Sequence, residues 1–200
     1  MNDRNCAGRP AKRTLVGDCS PTIEVGPRPT LASMVRAYVA RHRDDSREEL
    51  RSFKNEPTLS SAIERAGMAK RADGKRYNHQ RRLQDSVLHG ATVELRRANL
   101  AAAEDFDDLY NRVERAIGSL TGIGELMVYD TSLRLGAHLR LLPGRVYLHR
   151  GTRVGARALG LDWKAKSLAV GDCPREFSVL KAYEIEDCLC LFHDKFTASV

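Results

Sequence analysis

Residues 117–125 read Ile-Gly-Ser-Leu-Thr-Gly-Ile-Gly-Glu, and they set the organisation of the second half of this 200-residue chain. Gly122 and Gly124 bracket a single aliphatic residue, Ile123. Upstream, Asp105 precedes Phe106, Leu109, Val113 and Ile117 at helical spacing, and the carboxylates of the first turn suit the positive end of that helix dipole. Downstream, Leu126, Met127, Leu133 and Leu135 belong to a second helix over Gly124 to Leu139. The glycines between them predict a tight bend in which Ile123 tucks between the helices while Gly122, Gly124 and the following amides face outward. A helix N-terminus carries free N–H groups and partial positive charge, so such a bend accepts a phosphate without any basic side chain. The same residues are also compatible with an ordinary αα connection, in which glycine merely supplies the positive φ that ends a helix.

Working outward, Thr30 caps a predicted helix with Leu31, Met34, Val35, Tyr38 and Val39 on one face. Ser46 and Glu49 form a capping-box pair that predicts a second helix through Leu50 and Phe53. Pro57 and Thr58 start a third, with Leu59, Ala62, Ile63 and Ala66 inward and Gly67 near its end. A further helix follows through Leu83, Val87, Leu88, Val93 and Leu95, with Gly90 a candidate interruption. Beyond the bend come an element from Tyr147 to about Leu159 and a last helix from Pro174 to about His193. Residues 1–29, with Gly8, Pro10, Gly17, Pro21, Gly26, Pro27 and Pro29 among scattered charges, read as a flexible arm with a short strand at Thr22 to Val25. The expected architecture is therefore mainly α: a compact multi-helix bundle over residues 30–200, behind an N-terminal arm of residues 1–29. Within it, residues 30–104 carry the N-terminal helices and a basic loop, and residues 105–200 carry the bend. Strands are expected only as short peripheral pieces.

The basic loop is residues 70–82, KRADGKRYNHQRR, in which Lys70, Arg71, Lys75, Arg76, Arg81 and Arg82 are opposed by Asp73 alone. Over the whole chain 33 Lys+Arg stand against 26 Asp+Glu, a net charge of +7. That balance favours a polyanionic partner, and a duplex-tracking protein needs a second positive surface of this kind. A solvated charged loop is the alternative. Tyr77 and His79 interleave with the charges, where they could stack on a base or reach a phosphate.

Five cysteines, an odd number in a chain that does not need staples, point to a reduced, cytoplasmic setting. Cys188 and Cys190 are too close for a CxxC pair, and Cys188 is expected to face a core inside an apolar helix. No cofactor and no metal site are expected. No apolar run approaches the roughly 20 residues of a membrane span, and no secretory signal is visible.

The hairpin residues resemble the helix-hairpin-helix superfamily, and in particular its DNA glycosylase branch, over about residues 109–161. Leu120-Thr121-Gly122-Ile123-Gly124 is similar to the family's Leu-Pro-Gly-Val-Gly, with Thr in place of Pro. Downstream, Thr152-Arg153-Val154-Gly155-Ala156-Arg157-Ala158-Leu159-Gly160-Leu161 is similar to the Arg-Val…Arg-Leu-Gly-Leu segment that follows the catalytic aspartate in those enzymes, with Ala158 extra. The resemblance implies a phosphate-binding hairpin, and its departures count against glycosylase chemistry. Where the family has its aspartate loop, this chain has Val146-Tyr147-Leu148-His149-Arg150, without a carboxylate. Where bifunctional members have a Schiff-base lysine, it has Leu126. Asp130-Thr131 falls too early.

The expected function is sequence-independent binding of nucleic acid, double-stranded DNA first. Thr121, Gly122, Ile123 and Gly124 would hold one phosphate, and Lys75, Arg76, His79, Arg81 and Arg82 would hold others. No catalytic residue is assigned. A helical protein–protein module is the alternative, and a divergent glycosylase-like hydrolase or lyase using Asp130 or His149 is a third. Neither His149 nor His79 has a sequence-adjacent carboxylate to orient it. Asp105, Asp107 and Asp108 are explained by a helix start, and Trp163 by packing.

Overall fold

The computed structural model describes residues 30–196, and the protein is mainly helical. The expected arm and its short strand lie outside the described residues. In order come α1 (Leu31–Arg41), α2 (Arg43–Lys54), α3 (Leu59–Gly67), α4 (Asp85–Arg97), α5 (Phe106–Ile117), α6 (Glu125–Leu139), β1 (Arg145–Tyr147), α7 (Arg150–Ala158), β2 (Ser167–Ala169), α8 (Ala182–Leu191) and α9 (His193–Phe196). Strands β1 and β2 pair antiparallel, with the buried Val146 opposite the buried Leu168, and form a two-stranded ribbon that packs on α8.

Local chemistry accounts for the helix starts. Thr30 accepts from Ser33 N–H at 3.2 Å, Asp105 from Asp108 N–H at 2.8 Å, and Thr58 from Ser61 N–H at 3.1 Å, each satisfying an orphan amide of the first turn. Four boundaries differ from the sequence reading, the first being the element expected from Tyr147, where Tyr147 closes β1 and α7 starts only at Arg150. Helix α2 begins before Ser46, whose hydroxyl donates instead to Asp187 at 2.8 Å, so the expected capping box does not form. Helix α4 runs through Gly90 without a break, since one glycine costs a helix interior only about 1 kcal/mol. The last helix starts at Ala182 and not at Pro174, because Arg175–Val179 forms a 3-10 turn first.

Two hydrophobic clusters divide the interior. One is built on α2 to α6, around Phe53, Leu88, Leu95, Leu109 and Leu135. The other joins α1, β1, α7, α8 and α9, around Tyr38, Val146, Ile185, Leu189 and Phe192. Helix α6 packs against α2, α3 and α5, and nine of its 15 residues are buried, including the polar Thr131, Ser132 and Arg134. Arg140, at φ 64°, closes it in the left-handed region. Gly155 lets α7 approach α8: a Cβ there would stand 2.6 Å from the Leu189 carbonyl oxygen.

Candidate functional site

The bend between α5 and α6 has the geometry its sequence predicts. Ile117 is fully buried and Ile123 is 9 % exposed, seated in the cluster that the two helices share. Gly122 has φ +93°, a conformation that favours glycine, and Ile123 N–H donates to the Leu120 carbonyl at 2.9 Å. Gly124 is the N-cap of α6 in extended conformation, and a Cβ built there meets nothing within 4 Å. Thr121, Gly122 and Gly124 are exposed. The α6 N-terminus is therefore open on its outer side. Its first residue, Glu125, is acidic, and Arg153 holds that carboxylate at 3.0 Å.

The basic segment lies against this bend. Leu83 is half-buried in the same cluster as Leu120 and Ile123, and its Cδ2 is 3.6 Å from where a Cβ on Gly122 would sit. Gln80 is buried, and its amide donates to Asp130, in the second turn of α6, at 2.5 Å. Residues 80–83 thus run along α6 and deliver Arg81 and Arg82, both exposed, next to the hairpin. Neither arginine has an ion pair or a side-chain hydrogen bond within residues 30–196.

Other candidate residues are placed differently. Arg76 is committed to structure, donating to the Leu83 carbonyl at 2.9 Å and pairing with Asp85 at 2.5 Å. Lys75 is exposed beyond the turn at Gly74, facing Asp73 at 4.0 Å. Tyr77 is not a stacking platform: the Arg134 guanidinium lies 3.7 Å over its ring, and burial raises its hydroxyl pKa. His79 is exposed, whereas Glu186, Glu184 and Arg134 behind α6 are buried.

Those buried groups form a polar seam that spacing alone could not reveal. His149, just before α7, is 2 % exposed, and its Nε2 lies 2.5 Å from Glu186 Oε1 on α8. Burial would lower the imidazole pKa, but the bond to Glu186 and the charges of Glu186 and Asp130 outweigh it and raise it. Burial raises the Glu186 carboxyl, with His149 opposing. The pair is best described as sharing one proton, held on the imidazole by the surrounding carboxylates. The oriented histidine that lacked a neighbour in sequence thus finds its carboxylate 37 residues away. Beside it, Asp187 accepts from Tyr38 at 2.9 Å and from Ser46 at 2.8 Å, and burial pushes its carboxyl up to about 8.

Arg134 closes the seam on the α2 side. It is 4 % exposed and pairs with Glu49 at 2.8 Å and Asp130 at 3.5 Å. Asp130 is therefore engaged by Gln80 and Arg134 together, both at its Oδ2. Glu184, fully buried, receives Arg47 at 2.9 Å and Arg43 at 3.5 Å. Each of these charges has a partner, as buried charges require. Cys188 faces the second cluster with no exposed surface, as its apolar helix predicted. Among the described residues no helix is long and apolar enough to cross a membrane. No family model, curated protein or solved structure matches this chain.

Proposed function

We propose that this protein binds nucleic acid, duplex DNA first, by gripping backbone phosphates between the open N-terminus of α6 and the arginines of residues 81–82, without reading base sequence. The observation that carries this reading is the closeness of Leu83 to Gly122, whose Cβ, were one present, would lie 3.6 Å from the leucine Cδ2. It brings near each other two features far apart in the chain, an open helix end and two arginines unpaired among the described residues. Amides and arginines then address neighbouring phosphates, and such contacts position a protein on a duplex without specifying sequence. The Arg153 pair offsets the one carboxylate that would oppose an anion at this end.

Glycosylase chemistry is not part of the proposal. Asp130 is engaged by Gln80 and Arg134, Leu126 stands at the position of the Schiff-base lysine, and His149 is buried. The reading is tested by fluorescence anisotropy with labelled duplex across a salt series. Each phosphate contact contributes about −0.9 to the slope of log K against log salt, so Arg81→Glu/Arg82→Glu should flatten the slope by about 2. Arg76→Ala should change it little, because that side chain is already spent on Asp85. An unchanged slope in the double variant, or no binding by the wild type at low salt, would refute the proposal.

A further inference from the structure

The seam contains a donor set that nucleic-acid binding does not use. His149, Glu186 and Cys190 place one nitrogen, one carboxylate oxygen and one sulfur within 4.8 Å of one another. Glu186 and Cys190 stand four residues apart on α8, so they share a face one turn apart. His149 is brought to that face by the turn into α7, where its N–H donates to Thr152 Oγ1 at 2.7 Å. Gly151 leaves the space that the group occupies: a Cβ there would lie 3.1 Å from Cys190 Sγ and 3.6 Å from His149 Cε1.

A further feature points to a cation. The Tyr129 hydroxyl is buried, lacks a hydrogen-bond partner among the described residues, and lies close enough to Glu186 to feel its charge; its ring is 6.2 Å from that of His149. A buried hydroxyl without a partner is costly, and a water on a bound ion would supply one.

We propose that His149, Glu186 and Cys190 bind one divalent cation of the zinc class, with a fourth position facing Tyr129. Mixed nitrogen, oxygen and sulfur donors match the preferences of zinc and exclude magnesium and calcium, which take oxygen donors. Three protein ligands leave one position open for water. On binding, the metal–sulfur bond replaces the Cys190 S–H bond and the thiol proton passes to solvent, together with the proton shared by His149 and Glu186. Without metal, burial and the neighbouring carboxylates push the thiol up to about 12, so affinity should fall as pH falls. The site is independent of the hairpin, and either proposal stands if the other fails.

The test is a titration of the reduced, metal-free full chain with cobalt(II), which reports a thiolate ligand through its sulfur-to-metal charge-transfer absorption. The wild type should show this band, saturating at one equivalent and displaced by zinc. Cys173→Ser should keep it, and Cys190→Ser should abolish it while circular dichroism stays native. Glu186→Gln, which preserves shape and thiol, should weaken cobalt binding by about tenfold or more, and it decides the matter should Cys190→Ser misfold. Absence of the band in the wild type, its persistence in a folded Cys190→Ser, or unaltered affinity in Glu186→Gln would overturn the site.

Discussion

At the hairpin, Gly124 borders open space, Thr121 is exposed, and Arg81 and Arg82 beside it have no ion-pair or side-chain hydrogen-bond partner among the described residues. Behind α6, Arg134, Glu184 and Glu186 are almost wholly out of water and each is held by an opposite charge or a shared proton. Both regions are rich in charge, yet they spend it differently. Charge left unpaired at a surface costs the fold little and remains available to a ligand. Charge paired in the interior is worth little net stability while intact, and is expensive to break on one side. On the proposed reading, external binding falls to the hairpin, while the paired charges of the seam lie between elements of the two clusters.

Removal of one seam charge should have the largest effect. Arg134→Ala strands Glu49 and Asp130 and strips the cation from Tyr77, and should cost about 3–5 kcal/mol in urea unfolding. A loss below about 1 kcal/mol would mean that water reaches the seam and the contrast fails. The next effect depends on pH. Asp187 rises from 3.8 to about 8 on folding, so the folded state holds its proton more tightly than the unfolded chain. Its contribution to stability is full below about pH 4, shrinks as pH rises through that window, and is gone above about 8. Asp187→Asn, which can still accept from Tyr38 and Ser46, should flatten this decline, with thermal melts showing its largest gain at pH 8. A wild type whose stability rose from pH 5 to pH 8 while the variant followed it in parallel would break the assignment. At the hairpin a small effect is expected: Gly122→Ala places a side chain at φ +93° and should cost about 1 kcal/mol. A cost of several kcal/mol there would mean that the turn is packed and not open.

The hairpin was legible because everything that makes it is local. Helical periodicity on both sides, Asp105 at a cap and two glycines around Ile123 all fall within one short window. Thr30 and Thr58 were readable on the same grounds. The seam was not, because its contacts join residues 37 apart in His149 with Glu186 and 85 apart in Arg134 with Glu49. Ser46 shows how tertiary demand overrides a local signal: its hydroxyl serves Asp187 on α8, and α2 starts without it. Tyr77 and Arg76 have partners that the charged run does not announce, Arg134 over the one ring and Asp85 against the other side chain. Arg81 and Arg82 are exposed near the bend, and the signal for that placement is Leu83, an apolar residue closing a charged stretch.

One variant bears most directly on the separation of open hairpin from closed interior. Gly124 is an extended N-cap with free space around it, where aspartate is a favoured residue, so Gly124→Asp should stabilise the fold by a few tenths of a kcal/mol. The same carboxylate would occupy the α6 amides and repel phosphate. Measuring thermal stability and duplex affinity on this variant at one salt concentration should give a melting temperature equal to or above the wild type and an affinity lower by about tenfold or more. A variant as stable as the wild type that binds duplex equally well would contradict the account and reduce the hairpin to a turn.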